Sequence, residues 1–177
     1  MRASSAPPRR PTEADVALLD KMQQYELAAR ALYAASRQSI DWVGLDTDEL
    51  GWAAVIDVFT DAHEAYAAAY SAKLGRLSTN RRDDALFEER SADFTGGIED
   101  ALQAMYQLEA DLVVTYDDLI SQLVGIDGII LTGSIATAEA RHGTVLANMA
   151  GAGAADTLDE LLVSKVGKAL PLPAEGN

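Results

Sequence analysis

The sequence predicts an all-helical domain: a four-helix bundle of two antiparallel hairpins joined by a crossover, with a short C-terminal fifth helix. Three observations predict it. Alanine-rich stretches such as Ala34-Ala35 and Ala67-Ala68-Ala69 favour helix, because alanine gives up no side-chain entropy there. Apolar residues recur at three- and four-residue steps along four long segments, the spacing of one helix face. Runs of β-branched residues between turn signals are nearly missing. The one candidate, Ile129-Ile130-Leu131-Thr132, continues into a helical pattern.

The elements follow in order. Residues 1–11 form a proline- and arginine-rich tail, expected to be flexible. Thr12 reads as a helix N-cap, with Glu13 and Asp15 in the first turn, and the first helix runs to about Gln38. Thr47, followed by Asp48 and Glu49, starts a second helix that reaches Leu74 and stops at Gly75. Residues 75–95 read as a long connection with at most one short helical turn, and the charge run 81–90 as a solvated loop. The third helix spans about Ile98 to Val124 and the fourth about Ile129 to Met149, separated by the turn Gly125-Ile126-Asp127-Gly128. A short helix from Asp156 to Lys168 closes the domain, so that residues 12–170 make one bundle and 171–177 a C-terminal tail. The two short links make hairpins, and the long one permits a crossover between them.

Composition narrows the function. The chain has 177 residues and a formal net charge of −14. A surface so acidic repels nucleic-acid phosphates and anionic membranes, so neither is an expected partner. Cysteine is absent, which excludes disulfides, thiolate metal sites and cysteine nucleophiles. No stretch has the length of a spanning helix, and the N-terminus lacks the apolar core of a secretory signal, so a cytoplasmic location is the expectation. Metal ions are the expected partners, with a homodimer or another protein as further candidates.

The apolar stripes carry the chemistry. They read Leu19, Met22, Glu26, Ala29, Tyr33 in the first helix and Trp52, Ile56, Phe59, His63, Tyr66, Tyr70 in the second. The third gives Leu102, Met105, Glu109, Leu112, Tyr116, Ile120, and the fourth Thr132, Ile135, Glu139, His142, Leu146, Met149. An ionisable residue interrupts each stripe near its middle. An ionised carboxylate in a core costs several kcal/mol unless it is paired or binds a cation, so interruptions at similar depth are expected to meet. Carboxylate oxygens and imidazole nitrogens suit iron or manganese. The alternative is a polar core without metal, in which Glu139 and His142 hydrogen-bond and Glu26 and Glu109 pair with Arg30 or Lys21. The four stripe tyrosines read mainly as core aromatics whose hydroxyls need partners, and Arg141 as facing solvent or a neighbouring acid.

The segment Ile135-Ala136-Thr137-Ala138-Glu139-Ala140-Arg141-His142 resembles the last metal-binding helix of bacterial ferritin-like proteins, notably the desiccation-related group with its Glu-Ala-Arg-His string. The resemblance covers roughly residues 14–150 and is strong only at that string. It implies a ferritin-like bundle with Glu26, Glu109, Glu139 and His142 as ligands to one or two ions of iron or manganese. It further implies non-haem oxidoreductase chemistry of the oxidase type; the catalytic residues stay open. The second helix departs from the family pattern: His63 stands where the family has Glu, and Tyr66 where it has His. His63 is therefore a variant ligand, and a ferritin-like structural or interaction protein with a degenerate, metal-free site is the rival reading.

Overall fold

The computed structural model describes residues 6–42, 51–151 and 166–173. Among them are five α-helices and no strand: α1 (Glu13–Ser39), α2 (Trp52–Leu74), α3 (Asp84–Thr95), α4 (Ile98–Gln122) and α5 (Ile126–Met149). None is long and apolar enough to cross a membrane.

Local signals set the ends. At the start of α1 the Asp15 carboxylate accepts from the Thr12 N–H at 2.7 Å, satisfying one of the donors a helix N-terminus leaves over. Gly75 ends α2 with φ +58°, a left-handed backbone that glycine adopts without penalty. Asp83 caps α3 by accepting from the Leu86 N–H at 2.8 Å. The start expected at Thr47 lies outside the described residues. The fourth predicted helix begins at Ile126, three residues earlier than its sequence pattern suggests, so only Leu123-Val124-Gly125 link α4 to α5.

Cross-helix contacts fix the directions. Arg37 meets Asp57 at 3.0 Å and Arg30 meets Glu64 at 3.2 Å, so α1 and α2 are antiparallel. Asp15 meets Val124 at 2.8 Å while Tyr33 meets Glu109, so α1 and α4 are antiparallel. Tyr70 meets Thr132 at 3.3 Å and His63 meets Glu139 at 3.4 Å, so α2 and α5 are antiparallel as well. Hence α1 and α5 run one way, and α2 and α4 the other. The link from α2 to α4 must travel the length of the bundle.

That link is where the sequence reading fails. Instead of a solvated loop, residues 84–95 form the twelve-residue α3, which packs on α1 and α4. Leu86, Arg90 and Phe94 lie four residues apart on one face. Leu86 and Phe94 are buried, and between them Arg90 reaches Asp111 of α4 at 2.9 Å. A charged residue in the middle of the stripe hides the helical period from a purely apolar reading. The linking segment before α3 is also held down: Thr79 donates to Asp20 through its N–H at 2.7 Å, and the Asp83 N–H donates to the Gln24 carbonyl at 3.1 Å.

Both ends of the described chain are tied to the bundle. Pro8 and Arg9, in the segment expected to be flexible, offer carbonyls to the Ile126 and Asp127 N–H groups at 3.0 and 2.8 Å, serving the N-terminus of α5. Most of the expected fifth helix lies outside the described residues; residues 167–170 are non-helical and run along α4 as a strap. Lys168 N–H donates to Asp111 at 2.7 Å, Leu170 N–H donates to Thr115 at 2.8 Å, and the Tyr25 hydroxyl donates to the Pro171 carbonyl. Gly167 lies so close to α4 that a Cβ there would sit 2.1 Å from the Ala110 carbonyl oxygen.

Candidate metal centre

All five residues singled out from the stripes meet in the middle of the bundle. Glu26 comes from α1, His63 from α2, Glu109 from α4, and Glu139 and His142 from α5. The first four have no solvent-accessible surface, and His142 keeps 12% of its side chain exposed. The three-residue spacing of Glu139 and His142 turns both side chains to one face of α5, where Nδ1 of His142 lies 3.1 Å from Glu139 Oε2.

His63 is central. Its Nδ1 is 2.8 Å from Glu26 Oε2 and 3.4 Å from Glu139 Oε1, and its Nε2 is 3.2 Å from Glu109 Oε1. His142 Nδ1 also faces Glu109 Oε2 at 3.6 Å. Tyr33 donates its hydroxyl to Glu109 Oε1. The ring of His142 stacks on Phe59 at 4.0 Å and 25°, with Tyr66 a further near-parallel neighbour at 6.2 Å. Phe59 belongs to the predicted apolar stripe, but its service as a platform for His142 was not readable from spacing. Tyr70 donates to Thr132, while the buried Tyr116 hydroxyl has no partner among the described residues. Arg141 is exposed.

Of the metal-free alternative, the Glu139–His142 contact is present, and the pairing of Glu26 and Glu109 with Arg30 or Lys21 is not. Arg30 pairs with Glu64, and Lys21 with Asp83; neither reaches Glu26 or Glu109. Among the described residues, no lysine or arginine forms an ion pair with Glu26, Glu109 or Glu139, and Glu26 Oε1, Glu109 Oε2 and Glu139 Oε1 have no hydrogen-bond donor. A buried polar atom with no partner costs about 1–3 kcal/mol, and more when charged.

The electrostatics divide the charge unequally among the cluster's own groups. Burial pushes Glu139 well above the ordinary carboxylate range, and the neighbouring Glu109 charge adds to that. Burial also raises Glu26, partly opposed by its bond to His63. Glu109 goes the other way: burial works to raise it, but a hydrogen bond from the Glu139 carboxyl, the His63 charge and the two imidazoles hold it well below its usual range. Burial works to lower His63, yet the charges of Glu139 and Glu109 outweigh it and hold the imidazole well above its usual value. Like charges this close cannot all ionise, so protons stay on some of them.

The donor set fits a cation. One ligand atom each from His63, Glu109, Glu139 and His142 can be chosen so that all lie within 4.8 Å of one another. Bonds of about 2.1 Å place adjacent donors about 3 Å apart and opposite ones about 4 Å apart, so small side-chain adjustments suffice. Mixed imidazole and carboxylate donors suit first-row transition ions over calcium or magnesium. Compared with models of known families, with curated proteins and with solved structures, the chain matches none.

Proposed function

We propose that this chain is a ferritin-like protein that binds iron or manganese in its core, through Glu109, Glu139, His63 and His142, with Glu26 in the same cluster. The observation that carries the reading is the convergence of two imidazoles and two buried carboxylates within 4.8 Å, with carboxylate oxygens that have no donor. A divalent ion supplies the counter-charge that buried acids require. The helix directions and the long crossover support the ferritin-like assignment, as does the Glu139-Ala140-Arg141-His142 string. Bound iron or manganese would supply one-electron redox chemistry. The chain's own contribution would be to exclude water, through the burial of the acids, and to hold the donors, through the Tyr33 bond to Glu109 and the stacking of Phe59 on His142. Oxidase-type activity is the enzymatic extension of this reading.

Elemental analysis of protein expressed in iron- and manganese-replete medium tests it. Wild type is expected to retain metal, and Glu139→Ala to lose most of it. Equal metal content in the two proteins would sink the reading.

One observation favours a second reading. Both His63 nitrogens lie within hydrogen-bonding distance of glutamates, so a His63 imidazolium is itself an internal counter-charge. The protein would then be a metal-free relic whose surface does the work. Stability unchanged by a chelator, together with no spectral change on adding ferrous iron, would favour it.

A further inference from the structure

We propose that the centre takes a single divalent transition-metal ion, and that Glu26 is a positioning residue behind His63 and not a ligand. This inference rests on the metal-binding reading above and assigns the roles within it.

The argument starts from the two faces of one ring. An imidazole that ligates through one nitrogen carries its proton on the other, which as a rule donates to a carboxylate or carbonyl that fixes the ring. Nδ1 of His63 has that partner: Glu26 Oε2 at 2.8 Å, the shortest contact His63 makes in the cluster. Its other acidic neighbour, Glu139 Oε1, is farther at 3.4 Å. With the proton on Nδ1, the Nε2 lone pair faces Glu109 Oε1 at 3.2 Å. Two lone pairs at that range repel unless a second proton or a cation lies beside both, and the spacing is close to the roughly 3 Å between adjacent donors on one ion. The far side repeats the pattern, with His142 Nδ1 at 3.1 Å from Glu139 and 3.6 Å from Glu109. The carboxylates of Glu109 and Glu139 thus lie between two imidazoles, and the four-residue donor set leaves Glu26 out.

Charge and space argue for one ion. A single divalent cation balances Glu109 and Glu139. A second would have only Glu26 as a further carboxylate, and Oε2 of Glu26 is committed to His63. The His63 ring itself fills the gap between Glu26 and Glu109, backed by Tyr33 at 5.0 Å between ring centres.

The 177-residue chain, stripped with a chelator and titrated with Mn²⁺ and then Co²⁺ in a calorimeter, tests this. Wild type is expected to bind one equivalent, and Glu139→Ala none. Glu26→Gln keeps an oxygen that can accept from Nδ1–H and is expected to bind one equivalent about 10-fold more weakly; Glu26→Leu removes it and is expected to lose about 100-fold, the range for such partners. The visible spectrum of the Co²⁺ form, which reports the ligands, is expected to be the same in wild type and both Glu26 variants at saturation. Circular dichroism checks folding, and Glu26→Gln carries the test alone should the leucine variant not fold. Two equivalents in wild type, an altered Co²⁺ spectrum in Glu26→Gln, or wild-type affinity in Glu26→Leu overturns the proposal. A wild type that binds no ion overturns the metal-binding reading and this inference with it, whereas one equivalent bound equally well by every residue-26 variant overturns only the role of Glu26.

Discussion

At the scale of single residues, position along a stripe was readable and partnership was not. Spacing alone placed Glu26, His63, Glu109, Glu139 and His142 on the inner faces of their helices, because a 3.6-residue period decides which way a side chain points. It does not decide which nitrogen of His63 meets which acid, since that depends on how four helices rotate against each other. Nor did it show that Arg30 and Lys21 spend their charges elsewhere. The aromatic support of the cluster belongs to the same scale. Phe94 is fully buried and lies edge-on to Tyr33 at 5.7 Å, the tyrosine that holds Glu109. Phe94→Ala is expected to destabilise the protein by about 3–5 kcal/mol, read from urea unfolding, by leaving a cavity beside the cluster.

At the scale of elements, the long helices were legible and α3 was not, since its buried face alternates apolar and charged groups. A joint at the other end of the bundle is equally invisible to periodicity. The Asp15 carboxylate accepts from the N–H groups of Thr12, Val124 and Gly125, at 2.7, 2.8 and 2.9 Å, and so ties α1 to the α4–α5 link. A Cβ on Gly125 would lie 2.6 Å from the Arg10 carbonyl oxygen, so the joint has no room for a larger residue. Burial works to raise the Asp15 carboxyl, but those three N–H groups outweigh it and hold it below its ordinary value. Because the folded value is the lower one, ionised Asp15 stabilises the fold at any pH above about 4, and that contribution fades as pH falls through the folded value. Asp15→Ala is therefore expected to lose about 1–3 kcal/mol at neutral pH, with the gap to wild type narrowing below pH 4 in pH-resolved denaturation.

At the scale of the whole molecule, one carboxylate gathers three segments. Asp111 accepts from Arg90 of α3 at 2.9 Å, Gln107 of α4 at 2.8 Å and the Lys168 N–H of the strap at 2.7 Å. Gly167→Ala is expected to lift the strap off α4 and to speed hydrogen exchange at the Lys168 and Leu170 amides, with little change at the amides of α2. On the proposed metal-binding reading, an ion present at about 100 times its dissociation constant would raise stability by about 2.7 kcal/mol, so a chelator is expected to lower the melting temperature.

The distribution of these coverings gives the bundle a front and a back. α3 and the strap lie against α4, and the only cluster member that touches solvent is His142 of α5. On the proposed metal-binding reading, an arriving cation would meet the His142 ring before any carboxylate. An imidazole at that threshold would favour transition ions over calcium and magnesium.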